Sequence, residues 1–149
     1  MDKQTAVVKA VCVSEKKGQQ KHPVEQIRLE PELGIPGDAH AGTWHRMVSL
    51  LSAESVARLQ EKIPFPLLPG AFAENVLVEG IEVSQLPVGT RLRLGSALCE
   101  VTQIGKECHA DCAIRRQAGD CVMPREGIFV RVLKAGEARP GDKLEVING

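Results

Sequence analysis

Apolar and polar positions along this chain alternate in short runs, separated by turns that carry glycine or proline. Thr5–Val13, TAVVKAVCV, is rich in β-branched residues and predicts a first strand. Residues 14–23 are polar and lysine-rich and predict an exposed connection, and residues 26–29 predict a short second strand. Residues 34–46 form a loop punctuated by Gly and Pro. A loop of that length inside a compact domain is more often functional than idle.

An apolar run resumes at residues 47–51. Ser52 then suits a helix N-cap, and Glu54 is well placed for the helix dipole. That helix is expected to reach about Lys62 and to stop before Pro64, with Val56 and Leu59 as its apolar stripe. Residues 63–70 carry three prolines and predict a loop. Residues 75–78 predict a strand, and residues 90–94 alternate as a half-buried strand does. Gly95-Ser96 is a two-residue hairpin turn with glycine at its first central position, completed by Ala97–Ile104. Residues 105–126 are irregular, with a short helix expected from Asp111 or Cys112 to Gln117, ended by Gly119. Residues 127–133 and Lys143–Ile147 are the last predicted strands. Segments 86–94 and 138–146 resemble each other as Pro/Gly turns launching alternating strands, which similar turn chemistry explains without duplication.

Many short strands with one or two short helices predict a mainly β fold, a closed or nearly closed β-barrel. No boundary divides the 149 residues, so a single domain spanning 1–149 is expected.

Charge changes the picture by exclusion. Lys plus Arg equal Asp plus Glu at 19 each, with three Phe, one Trp and no Tyr. A nucleic-acid binder is expected to show a basic excess or stripe and stacking aromatics, so neither nucleic acid nor a membrane is an expected partner. With no signal-like N-terminus the chain is expected to be cytoplasmic. There its five cysteines are not a disulfide framework. They are core residues, metal ligands or reactive thiols.

Three constellations carry candidate chemistry. The first is Lys106-Glu-Cys-His-Ala-Asp-Cys-Ala-Ile-Arg-Arg-Gln-Ala-Gly-Asp-Cys121. Cys108 there is a candidate nucleophile or sulfur carrier, with Lys106, His109, Arg115 and Arg116 as nearby groups that favour a thiolate. Glu107 and Asp111 act against them. Alternatively Cys108, Cys112 and Cys121 are metal ligands or a redox switch, but the spacing C-H-x2-C-x8-C lacks the two-residue gap of paired zinc ligands. Zinc and iron–sulfur are therefore disfavoured. Packing beneath a loop would account for Cys112 and Cys121 equally well. The second constellation, Gly37-Asp-Ala-His-Ala-Gly-Thr-Trp-His-Arg46, offers Asp38, His40, His45 and Arg46 for polar recognition or proton transfer, or forms a solvated loop capped by Asp38. The third is Gly70-Ala-Phe-Ala-Glu-Asn75, where Glu74 and Asn75 stand before a strand and cap backbone groups on the simplest reading. Cys12 and Cys99 fall within strand patterns and read as core. Walker, dinucleotide, HExxH and Gly-x-Ser-x-Gly motifs are absent.

Taken in order, GDAHAGTWHRMVSLLSAES, PGAFAENVLVEGI, LPVGTRLRLGSALCEVTQIGKEC and EGIFVRVLKAGEARPGDKLEV resemble the MOSC domain, named for the C-terminal domain of molybdenum-cofactor sulfurases. The resemblance covers nearly the whole chain. It implies a barrel-like β fold and a small stand-alone protein that handles sulfur through one cysteine or binds the pyranopterin (molybdopterin) cofactor. Cys108 matches the family cysteine, although the Pro that usually precedes it is Glu107 here. On this resemblance Cys108, with Lys106 and His109, is catalytic. Asp38, His40, His45, Arg46, Glu74, Asn75, Arg115 and Arg116 line a cofactor pocket. The chain lacks an aminotransferase-like module with a cofactor lysine, so a pyridoxal-phosphate-dependent cysteine desulfurase, or a molybdenum-cofactor enzyme, is the expected partner. A metal-binding or redox-sensing module, and a molybdenum-dependent reductase of N-hydroxylated compounds, are the competing expectations.

Overall fold

The computed structural model describes residues 5–15, 21–38, 41–42, 48–72, 74–105 and 126–147. Ten strands follow in the order β1 (Thr5–Val13), β2 (His22–Val24), β3 (Ile27–Leu29), β4 (Val48–Ser52), β5 (Val76–Glu79), β6 (Arg91–Leu94), β7 (Ala97–Ile104), β8 (Ile128–Lys134), β9 (Gly136–Ala138) and β10 (Lys143–Ile147). Helix α1 (Ala53–Gln60) lies between β4 and β5, and a 3-10 turn spans Val83–Gln85.

Seven strands close a ring in the order β10-β6-β7-β8-β4-β5-β1, with β1 returning to β10. A ring with an odd number of strands cannot be antiparallel throughout. Its one parallel pair is β4–β5, in the register Leu50 with Val76 and Ser52 with Val78. Parallel neighbours need a crossover connection, and α1 with the proline-bearing stretch behind it supplies this one. The two similar Pro/Gly-launched strands, β6 and β10, pair with each other, Leu144 opposite Leu94.

Two cores result. The barrel interior holds aliphatic residues such as Val8, Leu50, Val76, Leu92, Val101, Ile128, Val130 and Leu144, with Cys99 among them. Ile27, Leu29 and Ile35 join it from β3 and the turn after it. The outer core lies between α1, its following loop and one side of the barrel, and contains Ala10, Cys12, Leu51, Leu59, Phe72, Leu77 and Phe129, with Phe65 packed against it. All three phenylalanines of the chain are therefore outside the barrel, and among the described residues its interior holds no aromatic side chain. β4, VSLLS, is buried along its whole length because Leu50 faces one core and Leu51 the other. In β1 the register shifts between Val8 and Ala10. That bulge reverses the side-chain parity, so Val8 and Val11 point inward while Ala10 and Cys12 point to the outer core.

Four local expectations change. The connection over residues 14–23 is not simply exposed, since Ser14 and Lys21 are buried. It also contributes β2, whose Pro23 is tolerated because β2 pairs with β1 alone, at the end of the sheet. The segment after β2 pairs with β9 in a separate two-stranded sheet. Ser52 does occupy the N-cap position of α1 but makes no side-chain cap. Its hydroxyl donates to the carbonyl of Ile81 at 2.6 Å and accepts the N–H of Val83 at 2.9 Å, tying the helix start to the 3-10 turn. The helix expected after residue 111 lies outside the described residues. Among the described residues no helix is long and apolar enough to cross a membrane.

Candidate functional site

The two long loops precede β4 and β8, and these two strands are antiparallel, so the loops enter the pair from opposite ends. Val48 pairs with Val130 and Leu50 with Ile128, which places the two strand starts two residues apart, roughly 7 Å along the sheet. The Cys108 segment leaves and re-enters the barrel at one closed point. Ile104 pairs with Ile128, and the N–H of Gly105 donates to the carbonyl of Gly127 at 2.7 Å. Glu126, at the far end of that segment, is held to α1. It accepts the hydroxyl of Ser55 at 2.7 Å and the guanidinium of Arg58 at 2.5 Å, and Arg58 also pairs with Glu82.

Beside the outer core lies a buried polar cluster. The ammonium of Lys21 contacts Oδ1 of Asp38 at 2.7 Å, and neither side chain is exposed to any degree. The same oxygen accepts the backbone N–H of Ser14 at 3.0 Å, and Lys21 also donates to the Ser14 hydroxyl at 3.3 Å. An isolated buried charge is strongly disfavoured, and a close, hydrogen-bonded partner offsets that cost. The backbone of Lys21 is fixed as well, its N–H donating to the carbonyl of Gly70 at 2.9 Å. Gly70 returns the chain to Glu74, whose two carboxylate oxygens accept the N–H groups of Gly70 at 2.7 Å and Phe72 at 3.1 Å.

Burial raises the pKa of Glu74 above the ordinary carboxylate value. The backbone donors and the Lys21 charge pull the other way and do not outweigh it. Cys12 lies in the same field. Burial first, then the charge of Glu74, push its thiol up to about 12 against the opposing pull of Lys21. Cys99, inside the barrel, is pushed to about 12 by burial alone. Neither described cysteine offers a thiolate near neutral pH.

Asn75 follows at the start of β5, fully buried. Its side-chain oxygen accepts the N–H and hydroxyl of Ser49 at 3.0 and 3.2 Å, and its amide donates to the carbonyl of Cys12 at 3.0 Å. It therefore bridges β4 and β1 at the point where both flank β5.

Three of the residues singled out in the sequence, Asp38, Glu74 and Asn75, thus belong to one buried end of the barrel and engage protein groups. His40, His45, Arg46, Lys106, Cys108, His109, Cys112, Arg115, Arg116 and Cys121 lie outside the described residues. No group of His, Cys, Asp and Glu able to hold a metal ion occurs among the described residues. Lys21, Ser14 and Ser49 escaped the sequence reading, because nothing in a run of lysines and glutamines marks one lysine as buried. Two surface grooves, of about 590 Å³ near Arg139 and Asp142 and about 1030 Å³ near Arg91 and Glu100, are lined by none of these residues.

Comparison with known proteins returns one family. The family model described as MOSC domain matches residues 37–145. An uncharacterized protein of Bacillus subtilis strain 168, YflK, is 26% identical over 141 residues, 88% of this chain and 63% of YflK, so the chain spans less than two-thirds of that relative. Among solved structures, the YuaD protein from Bacillus subtilis superposes with a TM-score of 0.82 at 20% identity, covering 97% of each chain. YiiM from Geobacillus stearothermophilus gives 0.72 at 19% identity, over 96% of this chain and 75% of that one. YiiM from Escherichia coli gives 0.65 at 21%, over the whole of this chain and 71% of its own. At these identities the structures establish a shared fold.

Proposed function

The chain belongs to the MOSC domain family, associated with molybdenum-cofactor-related function, and from that premise we propose that it is a cytoplasmic sulfur carrier working through Cys108. The observation that carries this reading is the state of the other thiols. Cys12 and Cys99 are buried and held protonated, so thiolate chemistry falls to the segment bearing Cys108, Cys112 and Cys121. Within it Cys108 matches the family cysteine. Lys106, His109, Arg115 and Arg116 are the cations that favour its ionised form.

The transfer is an exchange between sulfurs. The Cys108 thiolate attacks the terminal sulfur of a desulfurase persulfide, the donor's S–S bond breaks, and the donor leaves as a thiolate. Cys108 becomes a persulfide, and no external oxidant or reductant is consumed. The donor is a separate cysteine desulfurase and the acceptor a molybdenum-cofactor enzyme or its cofactor. In this reading Asp38, Glu74 and Asn75 serve the site by fixing the segments that carry it, since their described contacts are to protein groups.

The donor set also fits the molybdenum cofactor. A thiolate suits the metal, and Arg46, Arg115 and Arg116 with His40 and His45 suit the pterin and its phosphate. The interior of the barrel is filled by aliphatic side chains among the described residues, which supports a site formed by the loops rather than inside the barrel. When bound it would supply a metal-held sulfur or oxo group. Intact mass after incubation with a cysteine desulfurase and cysteine tests the proposal. One added sulfur atom, removed by reductant and missing in Cys108→Ala, is the expected result. Equal addition to both proteins, or none to either, overturns it.

A further inference from the structure

Lys21 stands where three segments of chain meet. Its ammonium reaches Ser14 at the end of β1 and Asp38 at the head of the loop leading to β4, and its backbone N–H bonds Gly70 in the loop leading to β5. The fit at Gly70 is close. A Cβ added there would lie 2.0 Å from the carbonyl oxygen of Lys21. Through Gly70 the same junction reaches Glu74, which accepts the Gly70 N–H and whose charge acts on both Lys21 and Cys12. Ser14 and Asp38 bond the Lys21 ammonium directly, and Glu74 and the Cys12 thiol lie within its electrostatic reach. Two of the sequence motifs, Gly37-Asp38 and Gly70–Asn75, are joined here by a residue that belongs to neither.

A buried ion pair often adds little net stability over well-packed apolar side chains of similar volume. What a buried pair does impose is geometry, because each member tolerates only the arrangement that keeps the other paired. We infer that Lys21 is a positioning residue: it sets the head of the Asp38 loop and the Gly70–Asn75 segment in one fixed relation. This deepens the sulfur-carrier reading and rests on it only for the transfer readout described next.

The decisive protein is the double variant Lys21→Met/Asp38→Asn, which removes both charges and keeps an acceptor for the Ser14 N–H. Its thermal midpoint is expected near that of the wild type. Amide exchange in peptides covering residues 34–42 and 70–75 should accelerate at least tenfold, with the β8 peptide unchanged, and sulfur loading of Cys108 should slow by about the same factor. Wild-type exchange at both peptides overturns the inference, whatever the sulfur result. So does acceleration everywhere with a lowered midpoint, which marks a general stabiliser. Should the wild type take up no sulfur, the carrier reading fails while the exchange comparison still decides the role of Lys21. If the double variant does not fold, Lys21→Arg, which keeps the charge and alters the geometry, is read in the same exchange assay with the same two outcomes.

Discussion

Asn75 and Cys12 hold each other through both main chain and side chain. The N–H of Cys12 donates to the carbonyl of Asn75 at 2.7 Å, and the Asn75 amide donates back to the carbonyl of Cys12 at 3.0 Å. The other end of the same side chain accepts from Ser49, whose hydroxyl and carbonyl both accept the N–H of Asn75 at 3.0 Å. One amide thereby satisfies groups on both strands that flank β5, and it is fully buried.

Asn75→Ala leaves the Ser49 N–H and the Cys12 carbonyl without their side-chain partner. Two buried orphaned groups cost roughly 2–6 kcal/mol. Urea unfolding should show a lowered midpoint with an unchanged slope. A loss under about 1 kcal/mol would mean that the neighbours find other partners.

Gly37 and Gly70 both have positive φ, +83° and +90°, but only Gly70 is crowded. Gly37→Ala meets nothing within 4 Å and should cost about 1 kcal/mol, the penalty of a left-handed alanine. Gly70→Ala carries that penalty plus the clash with the Lys21 backbone, and should cost more than about 3 kcal/mol. Equal losses in thermal unfolding would show that the Lys21 segment moves aside without penalty.

Glu74 makes stability depend on pH in an unusual sense for a carboxylate. Its folded pKa is raised, so the native state holds the proton more tightly than the unfolded chain. The contribution is complete below the ordinary value of 4.5 and is lost as pH climbs from there through the raised folded value. The stability of the wild type relative to Glu74→Gln should therefore decline on going from pH 4 towards neutrality. A relative stability that rises over that range would mean that the backbone donors and Lys21 outweigh burial.

Thiol counting separates buried cysteines from the rest. The chain has five cysteines, and Cys12 and Cys99 are wholly buried. In the folded protein at pH 8, Cys12→Ala/Cys99→Ala should titrate with an aromatic disulfide reagent to the same count as the wild type. In urea the counts should differ by two. A lower count for the folded double variant would show that one of these thiols reaches solvent.

Much of the barrel is legible in the residues themselves. Thr5–Val13 and Ala97–Ile104 appear with the expected limits, because alternation or β-branching over eight or nine residues has few other uses. The Gly95-Ser96 turn follows from a glycine that adopts φ +59°. β2 and β9 are not legible because His22-Pro-Val24 and Gly136-Glu-Ala138 lack the apolar alternation that marks the equally short β3, and the β1 bulge because nothing in Lys9 announces it. Lys21 was hidden for a different reason. Its partner Asp38 is 17 positions away, and only the folded chain decides which lysine of a polar run meets a carboxylate. Glu74 and Asn75 were visible as capping residues, and capping of backbone groups is what their hydrogen bonds do.

The seam of the ring joins its first strand to its last, Thr5 opposite Glu145 and Val7 opposite Lys143. Almost the whole chain lies between these partners, so this contact has the highest closure entropy in the molecule. During synthesis β6 and the start of β1 must wait with bare edges until the final strand leaves the ribosome. The barrel is thus a fold completed from the C-terminal end, and damage to β10 would expose two adhesive edges at once.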